Sequence, residues 1–302
     1  MAVDNLRQVA CASGLADMNP VHRCYLMERL VIERLHRKAN DMLAYYEECK
    51  DWVQVFHVLL FRYIGSADTR GQLATIARTV TSRICEREYA DRGHIEAMLV
   101  GASGLLEGRL LDNYCRELMA DYEYLQHKYQ LRPPLYYGDW RYSSLYPSTH
   151  PLVRLSQLTA IISDNNLLID RVFSCRTADD VYQIFDVACS DYWAAWCRAT
   201  GADGGAPRVG RTKANMLGIN VVVPFLYAYG RELGKQHFCD QAIELLESLR
   251  AESNKYTRFW TGYDVPMNSA TDSQALLQLS TCYCEAGRCD ECEVGKFCYG
   301  RK

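Results

Sequence analysis

A chain of 302 residues with 49% hydrophobic and 24% charged residues has ordinary globular composition, long enough for one large domain or two small ones. Its 34 Lys and Arg stand against 37 Asp and Glu, a formal net charge of −3, so no global basic field draws it onto DNA, RNA or anionic membrane. Any such contact must be local.

The N-terminal stretch from Met1 to Gly14 lacks a basic start followed by an apolar core, so no signal peptide is read there. Met27, Val31, Leu35, Ala39, Met42 and Tyr46 then step by three or four, a helical stripe, with Glu33 and Arg37 as an i,i+4 pair outside it. Asp51 is placed to cap a second helix whose buried side is Trp52, Val55, Phe56, Leu59, Leu60 and Tyr63. Between Glu96 and Leu111, Gly101 and Gly104 are small enough to let another helix approach closely. Tyr114, Leu118, Tyr122, Leu125 and Tyr129 continue the stripe until Pro133-Pro134 stops it.

From Arg132 to Pro151 the pattern dissolves into Pro, Tyr, Ser and Gly, and the aromatics Tyr136, Tyr137, Trp140, Tyr142 and Tyr146 predict a packed connector. Periodicity resumes at Leu152, Leu155, Leu158, Ile161 and Ile162. Thr177, with Asp180 three residues on, predicts a helix start running to about Trp196. Gly201 to Gly210 reads as a loop, followed by an apolar helix to Tyr229, an amphipathic helix carrying Phe238, Ala242, Leu245, Leu246 and Leu249, and a last helix from Ala275 to Cys282. Val221-Val222-Val223 is the best strand candidate, and its flanks read better as buried helix. The prediction is an all-α fold: a stub over 1–19, a helical subdomain over 20–131, the connector over 132–150, and a second helical subdomain over 151–302 ending in a cysteine loop.

Arg154, Gln157 and Asn220 interrupt apolar faces and read as hydrogen-bonded core residues. Asn220 lies one turn before Pro224, placed to cover the carbonyl that the proline leaves without a donor. The most apolar stretch, Leu217 to Tyr229, is too short to span a bilayer, so a cytoplasmic protein without membrane contact is expected.

Nine of the fourteen cysteines, Cys11 among them, stand singly and read as small hydrophobes in a reducing compartment. The other five, Cys282, Cys284, Cys289, Cys292 and Cys298, fall within seventeen residues. Cys284-x4-Cys289-x2-Cys292-x5-Cys298 lets four thiolates close on one centre, the x2 pair gripping a single ion. Zinc and a 4Fe-4S cluster both remain open, and Cys282 is an alternative first ligand. Glu285, Asp290, Glu291 and Glu293 crowd the loop and disfavour thiolates unless a cation is bound. No phosphate-binding glycine loop, HExxH pair or nucleophile elbow is found, so no catalytic residue is assigned.

Pro207-Arg208-Val209-Gly210-Arg211-Thr212-Lys213-Ala214-Asn215 resembles the helix-hairpin-helix of endonuclease III-like glycosylases, which also carry a four-cysteine cluster loop further along. That resemblance implies phosphate contact by Arg208, Gly210, Arg211 and Lys213. Arg208 replaces the first hairpin glycine, and the catalytic Val-Asp segment has no counterpart after Pro224.

A wider set of blocks is similar to a bacterial family catalogued as domain of unknown function number 2851, found mainly in Bacteroidetes. They are Glu96 to Leu106, Pro151 to Leu158, Asp191-Tyr192-Trp193, Gly218 to Gly230, Ala251 to Asn254, Asp272 to Leu276, and the Tyr283-Cys284…Cys289-x2-Cys292 tail. The resemblance runs from about residue 20 onward. Longer members carry an N-terminal pattern like the acidic core of a PD-(D/E)xK nuclease, which this sequence lacks. The resemblance implies a helical C-terminal part that serves as the nucleic-acid-binding or scaffolding half beside a nuclease-like N-terminal domain. The rival expectation is a structural or protein-interaction domain with a metal staple and no nucleic-acid contact.

Overall fold

The computed structural model describes residues 11–107, 112–132, 135–140, 147–164, 167–201 and 205–299. Pro133-Pro134, Tyr142 and Tyr146 lie outside them. The all-α expectation holds: among the described residues every regular element is helical, and the only extended pairing is an isolated bridge between Ala188 and Arg208. No helix among them is long and apolar enough to cross a membrane. Contacts group the chain into two units, Met1–Ala44 with Arg176–Ala178 and Val223–Lys302, and Tyr45–Cys175 with Asp179–Val222.

In the first unit the long helix Pro20–Cys49 contributes its stripe of Met27, Val31, Leu35, Ala39 and Met42, all buried, as the 3.6-residue period requires. Its polar side is not idle. Arg34 Nε donates to Gln274 Oε1 at 2.6 Å and an Arg37 guanidinium nitrogen to Gln278 Oε1 at 3.0 Å, both on the helix Ala270–Gln278. Glu33 pairs with Arg29 and accepts from the Tyr283 hydroxyl, so the Glu33–Arg37 pair expected from spacing does not form. Tertiary acceptors outcompete a surface i,i+4 pair worth only a few tenths of a kcal/mol, about 0.2–0.5. Trp260, fully buried on the helix Lys255–Thr261, donates its indole N–H to Ser280 Oγ at 2.8 Å.

In the second unit Asp51 caps the helix Trp52–Ile64, accepting from the amides of Val53 and Gln54. Every residue of the helix Arg92–Ala102 from Ile95 onward is buried. The helix Asn113–Tyr129 crosses it with the Tyr122 ring seated on Gly101, where a Cβ would fall 2.0 Å from the ring. Gly104 adopts φ +64°, and a Cβ there would meet the Leu135 carbonyl oxygen at 1.6 Å. The connector is strapped to this end of the helix: Leu135 donates its N–H to Ala102 and Trp140 its indole N–H to the Ser103 carbonyl. Tyr136 and Tyr137 point to solvent instead of packing.

Two expected elements differ. The helix read from Thr177 to Trp196 breaks into Ala178–Phe185 and Asp191–Ala199. Between them Val187 and Cys189 exchange backbone hydrogen bonds with Val209 and Pro207, and Ser190 N–H goes to Ser156 Oγ at 2.9 Å. Non-local partners for three backbone groups replace a helical ladder. The run from Arg211 to Glu232 is helical as expected, but Gly218–Val222 widens into a π turn just ahead of Pro224, which has no N–H to give. Asn220 Nδ2 donates back to the Met216 carbonyl at 3.0 Å. Its amide therefore tends a carbonyl one turn earlier than the one predicted.

Candidate thiol and cation sites

The cysteine loop is more structured than its sequence suggests. The last helix does not end at Cys282; a π turn, Leu279–Cys284, leads into the loop, and a further helix, Glu293–Tyr299, follows Cys292. Gly287 at φ +66° turns the chain, and Gly295 lies so close to the Cys289 carbonyl that a Cβ would meet its oxygen at 2.4 Å. Cys292 heads the last helix, where the backbone amides of Gly295 and Val294 favour its thiolate.

The helix Ala12–Ala16 packs against this last helix. Cys298 Sγ lies 3.8 Å from the Cys11 carbonyl oxygen, and a Cβ on Gly14 would fall 2.2 Å from that sulfur. Cys11 is thereby drawn into the group as a fifth thiol. Sequence spacing gave no sign of it, since Cys11 sits at the opposite end of the chain and reads as an isolated hydrophobe. Cys282 is turned elsewhere, its thiol toward Gln278 Oε1 at 3.5 Å.

Burial pushes the Cys11 thiol up to about 11, with Cys298, Cys292 and Cys289 adding to the rise. Burial likewise takes Cys284 to about 12, reinforced by Cys11, Cys292 and Cys289. Burial also raises Cys292, outweighing the two amides that favour its thiolate. Without a cation these are protonated thiols at neutral pH. All are free of disulfides. Among the described residues no group of three or more His, Cys, Asp or Glu side chains is placed so that it could hold a metal ion as it stands.

The residues of the basic segment differ in their partners. Arg208 is held by Asp186, its Nε donating to Oδ1 at 2.9 Å and a terminal nitrogen to the Asp186 carbonyl at 2.8 Å. Gly210 precedes the helix Arg211–Leu217 in extended conformation, and Arg211 lies over the Tyr182 ring at 5.4 Å. Lys213 turns inward: its Nζ donates to the carbonyls of Gly65 at 3.1 Å and Tyr63 at 3.4 Å. Arg208, Gly210 and Arg211 are exposed, and Lys213 alone of the four turns inward.

A cavity of about 360 Å³ in the second unit was not legible in the sequence. Phe56, Leu60, Cys85, Leu168 and the buried His57 line it. His57 Nε2 lies 3.0 Å from the Val80 carbonyl, which fixes that nitrogen as the donor, and burial pulls the ring down to about 4.

These features define an all-α, thiol-rich helical protein. The chain belongs to the family described as protein of unknown function (DUF2851), whose model matches residues 1–255. That match starts earlier than the resemblance read from residue 20, and it stops short of the cysteine loop. No curated protein and no solved structure matches the chain.

Proposed function

We propose that this chain is a non-catalytic helical accessory domain whose first unit is stapled by a metal bound on the thiols of Cys284, Cys289 and Cys292, completed by Cys11 or Cys298. One observation carries this reading: five cysteines from the two ends of the chain gather where the helix Ala12–Ala16 meets the helix Glu293–Tyr299. Zinc or an iron–sulfur cluster would supply the positive charge that these thiols lack, and binding would fasten the C-terminal helix to the N-terminal one. Such a staple stabilises; it leaves the domain's work to its surfaces, as a scaffold or interaction module. Full-length Cys292→Ser is expected to unfold about 5 °C or more below the parent, and a strong chelator to lower the parent toward the variant. Equal melting temperatures with and without chelator would refute the staple.

The nucleic-acid reading through Arg208, Arg211 and Lys213 has less support, because Arg208 is neutralised by Asp186 and Lys213 faces inward. Charge reversal at Arg208 and Arg211 is expected to leave any oligonucleotide affinity and its salt dependence unchanged. A flatter salt slope in that double variant would restore those residues as phosphate contacts.

A further inference from the structure

Three half-buried cations of the second unit have no carboxylate partner among the described residues. Lys213 uses two of its three N–H groups on the carbonyls of Tyr63 and Gly65, at the end of the helix Trp52–Ile64. Arg70 lies over the Tyr63 ring, 5.1 Å from its centroid, and its Nε is buried with no hydrogen-bond partner. Arg154 reaches only a neutral group: it donates to Gln157 Oε1 at 2.7 Å, and the Gln157 amide is fixed in turn by the Pro207 carbonyl at 2.9 Å. Burial lowers Arg154. Burial, with Arg154 and then Arg70 adding, brings the Lys213 ammonium down to about 7. Among the described residues no carboxylate is paired with any of the three. In a chain with 37 Asp and Glu, that is a conspicuous omission.

We infer that Arg70, Arg154 and Lys213 form a binding site for a phosphate group. The unpartnered Arg70 Nε, the third N–H of Lys213 and the positive charge of the three side chains are matched by an oxyanion that accepts several hydrogen bonds at once. Two guanidinium forks and an ammonium suit a phosphate dianion better than a single carboxylate, which would compensate only one of them. The phosphate could belong to a small molecule or to a nucleic-acid backbone. The half-buried setting of all three residues favours a terminal phosphate. The idea is independent of the metal staple, which lies in the other unit.

The test is titration of the full chain with inorganic phosphate at constant ionic strength, read by calorimetry and thermal unfolding. Phosphate is expected to raise the melting temperature progressively. Arg154→Met and Arg70→Gln are each expected to weaken phosphate binding about tenfold or more. Without phosphate, Arg154→Met should be at least as stable as the parent, because it removes an uncompensated buried cation. A single-stranded oligonucleotide without terminal phosphate forms the second arm. Its binding, lost in both variants, would assign the phosphate to a backbone; binding of inorganic phosphate alone would assign it to a small molecule. No response to either probe would overturn the proposal, as would a response that persists in both variants. So would marked destabilisation of phosphate-free Arg154→Met and Arg70→Gln, which would make these arginines structural.

Discussion

Replacing Gly101 by alanine is expected to destabilise the second unit by about 3 kcal/mol, the upper range for overpacking a closed core. The added Cβ would lie 2.0 Å from Tyr122 Cγ and 2.4 and 2.5 Å from the two ring Cδ atoms. Those are the stem and flank of a buried aromatic, not the free end of a flexible chain, so relief requires the helices Arg92–Ala102 and Asn113–Tyr129 to separate. Gly71 is the natural control, since a Cβ there meets nothing within 4 Å. Gly71→Ala, early in the helix Arg70–Thr79, should be neutral or stabilising by a fraction of the ~1 kcal/mol helix preference of alanine. Urea unfolding of both variants decides the matter. Equal midpoints would show that the contact at Gly101 is not tight.

Acidification from pH 6.5 to 4 is expected to cost about 3 kcal/mol through His57 alone, the free-energy equivalent of its depressed pKa. Above pH 6.5 the ring is neutral both folded and unfolded, and its contribution is fully present. As pH falls below 6.5 the unfolded chain takes up a proton that the folded protein refuses until about 4, so stability drains over that window. Glu88 acts lower. Burial would raise it, but hydrogen bonds from Lys128, Tyr129 and His94 prevail and hold its carboxyl at about 2, placing most of its contribution below the histidine's range. His57→Gln should therefore flatten the stability profile between pH 6.5 and 4 while leaving the steeper acid limb in place. An unchanged profile would mean that His57 titrates normally.

The fold was legible where one face of a helix carries the core. The stripe from Met27 to Met42 and the Asp51 cap stand as read, because both depend on spacing within one turn or a few. The sequence misled wherever a distant partner took over. Arg37 reaches Gln278 instead of Glu33, and Val187 and Cys189 leave the helix to pair with residues around Pro207. Neither preference is visible in local periodicity. The cysteine loop was found by its density, yet Cys11 could not be, since only folding brings the chain's ends together. Lys213 was picked out as a phosphate contact through the resemblance of Pro207 to Asn215 to a helix-hairpin-helix. Its neighbours Arg70 and Arg154 come from other helices and share no motif with it.

The most direct test of the metal staple is a metal count. The full chain would be purified without oxygen, its visible absorbance recorded, and zinc, iron and sulfide quantified. Near-stoichiometric zinc without colour, or a brown protein with iron and sulfide, is the expected result. A folded protein with neither metal, whose Cys11, Cys284, Cys289, Cys292 and Cys298 all react freely with a thiol reagent, would contradict it.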